Sequence, residues 1–159
     1  MEGQSLEELF AGRDIDIPGM FQRMKGLMDQ EGLPYSNRSH TYNSRLAQEL
    51  GKWVEGKPEE DAFHDAMFKA YFVDGKNLAD VEALVEAAIS VGLSGEEAQE
   101  ILQNRSYSNA VDEDWKKSHQ YGVTGVPTFV AGGYGLVGAQ GYEMLERLIE
   151  QASSNPVEN

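Results

Sequence analysis

Apolar residues recur every three or four positions through the first three quarters of the chain, the spacing of amphipathic helices. With capping residues before these runs and glycines after them, the pattern predicts about seven helices before Gly122. Ser5 and Asp16 are placed to cap the first two helices, and Pro18 is tolerated in the first turn of the second. The apolar stripes are expected to face the core, including Met20, Phe21, Met24, Leu27 and Met28; Phe63, Met67, Ala70 and Tyr71; Val81, Leu84, Val85, Ala88 and Ile89.

The period changes only near the C-terminus. Residues 128–131 and 134–137 are short β-prone runs around Gly132-Gly133, which predicts a hairpin. A final amphipathic helix follows from Tyr142, and residues 153–159 are expected to be a frayed tail. The predicted fold class is therefore α/β but mostly helical. Because a lone two-stranded hairpin is marginal in water, the strand content looks incomplete.

Composition excludes several classes of function. The chain of 159 residues has a formal net charge of −14, which disfavours nucleic-acid and membrane-surface partners. No apolar run reaches the ~20 residues of a membrane span, and the N-terminus has no signal-peptide pattern, so a cytoplasmic protein is expected. The chain has no cysteine, which excludes disulfides, thiolate metal sites and a cysteine nucleophile within it.

The segment from Gly122 to Val130 is the main candidate for a functional site. Its pattern predicts the end of a helix, a loop that contains Gly125, and a strand that starts at Pro127. The Val126-Pro127 bond is a candidate cis peptide, although a trans proline that merely opens a strand is the alternative from local sequence alone.

The ordered motifs of the chain resemble the DsbA-like thioredoxin-fold family, and within it the FrnE-like bacterial branch. The similar segments are Tyr-Asn-Ser-Arg-Leu-Ala at 42–47, Phe-Lys-Ala-Tyr-Phe-Val-Asp-Gly at 68–75, Val-Gly-Leu at 91–93, the segment 122–130, and Val-Gly-Ala-Gln at 137–140. The resemblance extends from about Ser5 to Ala152.

The resemblance implies a single domain over 1–159 with a partial thioredoxin-like fold: a cis-proline strand, its hairpin partner and a closing helix, at about 107–152. A large helical insertion is implied at about 15–106. In this family a preceding β–α–β unit carries Cys-x-x-Cys, and the sequence is expected to begin after that unit.

The same resemblance implies thiol–disulfide exchange on protein or peptide substrates, with no cofactor. It places Gly125, Val126 and Pro127 in substrate binding, since the residue before the cis-proline pairs with the substrate backbone in the family. Because thiolates perform the exchange and this chain has none, no catalytic residue is assigned and the chain alone is expected to be redox-inactive.

Two other functions stay open. One is a non-enzymatic binding or scaffold module, and the other is part of an enzyme like the glutathione-dependent 2-hydroxychromene-2-carboxylate isomerases. The exposed hairpin edges also predict self-association, such as a homodimer formed through the hairpin, or pairing with a segment supplied by another chain.

The remaining candidate residues favour structural roles. Glu60 and His64 could share a helix face as metal ligands, but a solvated acidic face is favoured and no metal site is expected. His119 is expected to be a partly buried structural histidine near Trp115, and His40 has no partner that sequence identifies.

Overall fold

The structure, a computed structural model, describes residues 3–154 and is mostly helical. Its helices are α1 (Leu6–Leu9), α2 (Ile17–Gln30), α3 (Arg45–Val54), α4 (Glu60–Phe72), α5 (Val81–Ser90), α6 (Gly95–Asn104), α7 (Ser108–Gln120) and α8 (Tyr142–Ser154). Its strands are β1 (Gln4–Ser5), β2 (His40–Thr41), β3 (Thr128–Ala131) and β4 (Tyr134–Val137).

The strands form two antiparallel pairs. The β3–β4 hairpin has the predicted limits, with Thr128 opposite Val137 and Ala131 opposite Tyr134. The β1–β2 pair, with Ser5 opposite His40, was not predicted, because two residues are too short to show an alternating pattern. Of the predicted tail, residues 153 and 154 belong to α8 and the others lie outside the described residues.

The helix caps predicted for α1 and α2 are present in the structure. Ser5 and Glu8 form a complete capping box at α1, and the Asp16 carboxylate accepts a hydrogen bond from the N–H of Gly19 at the start of α2. Ser94 caps α6 through the N–H of Glu97. These bonds satisfy main-chain donors that the first helical turn leaves without intrahelical partners.

The chain divides into two compact units, Met1–Val111 and Asp112–Asn159. In the first unit, α3, α4, α5 and α6 enclose one apolar core. Its buried side chains are Leu50, Trp53, Val54, Phe63, Met67, Leu78, Leu84, Ala88, Leu93, Ala98 and Leu102. In the second unit α8 packs on the hairpin, with Leu148 buried. The predicted insertion limits, about 15–106, stay a prediction.

The prediction that all the apolar stripes face the core is wrong for several residues. No residue of α2 is buried, and Met24 and Leu27 are 39% and 58% exposed. Ile89 in α5 is also exposed. Periodicity shows that a helix has an apolar face, but it does not show that another layer covers that face.

A buried ion cluster joins three helical segments of the first unit. Glu49 of α3 has no exposed surface, and its Oε1 accepts from Arg45 Nε at 3.1 Å. Arg105, at the end of α6, donates to both oxygens of this carboxylate, at 2.8 and 2.6 Å. Arg45 also donates to the carbonyl of Ser108, at 2.7 Å. The cluster therefore connects α3 with the α6–α7 junction.

Candidate functional site

The candidate segment begins where α7 ends. Gly122 has φ +69°, and its N–H donates to the carbonyl of His119 at 2.9 Å. The N–H of Val123 donates to the carbonyl of Ser118 at 3.1 Å. Glycine adopts this left-handed conformation without a Cβ clash, so Gly122 is the residue that turns the chain out of the helix.

The main chain is held on both sides of Val126. On one side, Thr128 Oγ1 donates to the carbonyl of Gly125 at 2.6 Å. On the other, the N–H of Gly138 donates to the carbonyl of Pro127 at 2.8 Å. The Val126-Pro127 peptide bond is cis. The structure thus brings Gly125, Val126 and Pro127 together as one short, anchored segment at the start of β3.

Val126 itself is the open point of this segment. It is 90% exposed, the highest value among the large apolar residues that the structure describes. Within residues 3–154, neither its N–H nor its carbonyl has a hydrogen-bond partner in the chain. A free donor and a free acceptor on an anchored main chain can pair with an extended polypeptide, as in β-strand addition.

The charge pattern supports the same use of the surface. From Tyr121 to Tyr142 the sequence contains no Asp, Glu, Lys or Arg, although the chain has 27 acidic residues. Recognition at this surface would rest on main-chain groups and apolar contact rather than on charge. The uncharged run is visible in the sequence alone.

The strand that follows this segment, β3, has one edge without a partner strand among the described residues. Among the described residues β3 pairs only with β4, so its other edge carries main-chain groups without a neighbouring strand. Such an edge accepts a further strand by main-chain hydrogen bonding alone.

Within residues 3–154, the other candidate residues have structural surroundings and do not form a catalytic cluster. His119 was predicted to be partly buried and is exposed, because the α7 face that carries Trp115 and His119 is itself open. Its Nδ1 lies 2.7 Å from the carbonyl oxygen of Trp115 and therefore carries the proton of that bond. Glu60 accepts a hydrogen bond from the N–H of Gly56, and His64 is exposed. In the part of the chain that is described, no three acidic, histidine or cysteine residues are grouped for a metal ion.

Over residues 3–154, no helix combines the length and the apolar character that a membrane span needs.

Comparison with known proteins adds three findings. Residues 4–150 match the family model described as DSBA-like thioredoxin domain. The uncharacterized protein YwbO of Bacillus subtilis is 25% identical over 142 residues, which are 87% of this chain and 60% of YwbO. The chain therefore spans less than two thirds of that relative.

A solved structure, that of a probable DsbA oxidoreductase from Streptomyces coelicolor, is similar with a TM-score of 0.85 and 28% identity. The match covers 99% of this chain and 72% of the other. Together with the family match, this likeness confirms the predicted fold class, a mostly helical chain with a thioredoxin-like part.

Proposed function

Because the chain belongs to the DSBA-like thioredoxin domain family, we propose that it provides the substrate-binding side of a protein disulfide oxidoreductase. The observation that carries this proposal is the anchored main chain at Gly125, Val126 and Pro127, with the free N–H and carbonyl of Val126 within the described chain. An extended protein or peptide substrate would form main-chain hydrogen bonds with Val126.

This mode of binding suits substrates of varied sequence. Main-chain hydrogen bonds are available to almost any polypeptide, whereas side-chain pockets select particular residues. The uncharged stretch from Tyr121 to Tyr142 adds no electrostatic selection. A disulfide oxidoreductase that handles many partly folded proteins requires this tolerance.

In our proposal, another part of the whole protein performs the thiol chemistry. Exchange begins when a thiolate attacks a disulfide sulfur, which forms a mixed disulfide and releases the other sulfur as a thiolate. A second thiolate then resolves the mixed disulfide. This chain has no cysteine and can perform neither step. As in the FrnE-like branch, a β–α–β unit with Cys-x-x-Cys would supply both thiols in the whole protein.

We predict that the purified chain of 159 residues does not accelerate the reduction of insulin disulfides by dithiothreitol. The physical reason is the absence of any residue that can form a mixed disulfide. The assay follows the turbidity of the released insulin B chain, with heat-denatured protein as the negative control and a dithiol oxidoreductase as the positive control. Clear turnover above the heat-denatured sample would contradict the proposed division of roles.

The hairpin also suggests an interface between copies of the chain. Val130 and Val137 lie on the same face of the hairpin. Val137 is directly opposite Thr128, and Thr128 and Val130 point to the same face because they are two positions apart in β3. They are 47% and 52% exposed. We propose a homodimer in which this face is covered by the second copy.

Light scattering tests this interface. We expect the wild-type chain to be dimeric and Val130→Lys to be monomeric, since a lysine ammonium at the centre of an apolar contact must lose its hydration. The matched control is Leu27→Lys, which introduces the same charge at an exposed apolar position of α2 and should leave the dimer intact. A monodisperse wild-type monomer would refute the interface.

A further inference from the structure

A polar cavity lies beside β2 in the first unit, and none of its residues belongs to the candidate segment. Its volume is about 200 Å³, and it is lined by residues 37–40, Tyr42, Tyr71 and Gly75. The lining contains a guanidinium, an imidazole, a hydroxymethyl, a carboxamide and two phenols, but no carboxylate. In a chain with 27 acidic residues, a cavity without any acidic side chain suits a negatively charged ligand.

Arg38 is the cation of this cavity, and aromatic rings fix its position. Its guanidinium carbon lies 4.6 Å from the centre of the Tyr71 ring and 5.6 Å from that of Phe72. These contacts attract the cation to the ring faces and limit its rotamers. A ligand would therefore meet a guanidinium that is already in place, which reduces the entropy lost on binding.

One donor of Arg38 is left without an acceptor. Its Nε is shielded from solvent and, within the described chain, makes no hydrogen bond. Buried polar atoms in proteins nearly always have a partner, and a missing one costs ~1–3 kcal/mol. The planar guanidinium suits the paired oxygens of a carboxylate or a phosphate, and an oxyanion in the cavity would place a negative charge beside this cation.

The neighbouring polar groups can complete such a site. Ser39 Oγ and His40 Nδ1 are 2.8 Å apart, so the hydroxyl orients the imidazole. The ring of His40 also stacks on Tyr42, with 6.1 Å between centres. Asp74, which precedes the lining residue Gly75 in the sequence, forms an ion pair with Lys69 Nζ, at 2.7 Å.

The walls of the cavity are tied to the fold on two sides. The N–H of Ser36 donates to the carbonyl of Phe72 at 3.0 Å, which fixes the loop to the end of α4. The N–H of Leu6 donates to the carbonyl of Ser39 at 2.9 Å, next to the β1–β2 pair. Thr41 Oγ1 lies 3.3 Å from the Tyr71 hydroxyl. The cavity is thus built by packed elements rather than by a free loop.

We propose that this cavity binds a small oxyanion, either a carboxylate or a phosphate group, through the guanidinium of Arg38. His40, Ser39 and the Tyr71 hydroxyl would contribute the other donors. The site does not depend on the substrate-binding role proposed for Val126.

The side-chain N–H of Arg38 offers a direct probe. In ¹H–¹⁵N spectra of the full chain, we expect its Nε–H signal to shift saturably when sodium phosphate or sodium acetate replaces sodium chloride at constant ionic strength. A dissociation constant on the order of 1 mM is expected, since such small ligands make few contacts. Saturation by acetate alone assigns a carboxylate ligand, and saturation by phosphate alone assigns a phosphate.

Two variants and one control complete the test. Arg38→Gln removes the cation and should abolish the saturable shifts of residues 39–42. Arg38→Lys keeps the charge but lacks the paired N–H donors of the planar guanidinium, so it should weaken binding about tenfold. The matched control, Arg23→Gln, removes an exposed arginine of α2 and should bind like the wild type. The proposal is overturned if neither anion shifts the wild-type signals saturably, or if Arg23→Gln weakens binding as much as Arg38→Gln.

Discussion

Replacement of Arg105 by asparagine will lower the free energy of unfolding by about 3 kcal/mol. Arg105 provides two of the three hydrogen bonds that its neighbours donate to the fully buried carboxylate of Glu49. Without Arg105, this charge stays buried with Arg45 as its remaining partner. The estimate is at the lower end of the range for broken buried pairs, because the Arg105 side chain is itself 48% exposed.

The choice of asparagine isolates the effect of the guanidinium. Arg105 has φ +53°, a left-handed conformation that asparagine tolerates better than most residues. Urea unfolding followed by circular dichroism gives the free energy, and Arg23→Gln, at an exposed position, should stay within about 0.5 kcal/mol of the wild type. In the Arg105→Asn background, Glu49→Gln should restore part of the loss, since the unpaired buried charge is then gone. A loss below about 1 kcal/mol for Arg105→Asn would contradict this account of the cluster.

The pH dependence of stability gives the same cluster a second signature. The hydrogen bonds from Arg105, followed by those from Arg45, hold the pKa of Glu49 below its usual value of 4.5, although burial acts in the opposite direction. A lowered pKa in the folded state means that the contribution to stability is fully present above about pH 4.5 and is lost as the pH falls through the folded value. In Arg105→Asn the largest cause of the lowering is absent, so less stability should be lost below about pH 4.5 than in the wild type.

Local patterns were sufficient to predict the elements whose signals lie close together in sequence. Ser5 and Glu8 are three residues apart, and their capping box is present as predicted. The paired glycines Gly132 and Gly133 both have positive φ and make the predicted hairpin turn. A proline and glycines next to β-prone residues also indicated the segment from Gly122 to Val130, whereas the substrate-binding role of Gly125, Val126 and Pro127 stays a prediction.

Long-range features could not be predicted because they depend on tertiary packing. Glu49 and Arg105 are 56 positions apart, and each is an ordinary charged residue of a helical pattern. Arg38 meets Tyr71 and Phe72 only after the loop before β2 lies against α4. The exposure of Leu27 was missed for the same reason, because an apolar stripe does not tell which stripe is covered.

Replacement of Val126 by proline will weaken the binding of an extended peptide by about tenfold. In our proposal the main-chain N–H of residue 126 donates to a carbonyl of the substrate. Proline lacks this N–H, so the peptide carbonyl loses its donor and the pyrrolidine ring occupies the place of the N–H. Proline at position 126 keeps the preference for the extended region that a residue before Pro127 already has.

Val126→Ala is the matched control at the same position. It keeps both main-chain groups and removes most of a side chain that is 90% exposed in the absence of peptide. We expect Val126→Ala to bind within about twofold of the wild type if the main chain dominates recognition. A tenfold loss in both variants would instead assign recognition to the valine side chain.

The most direct test is a titration of the wild-type chain with a short unstructured peptide of serine, valine and threonine with lysine at each end. Our account predicts saturable shifts of the backbone amides of Gly125, Val126 and Thr128, without any cysteine in either partner. The shifts should be weakened in Val126→Pro and preserved in Val126→Ala. If these amides do not move at saturating peptide, or if Val126→Pro binds as well as the wild type, the segment before β3 is not the substrate-binding surface.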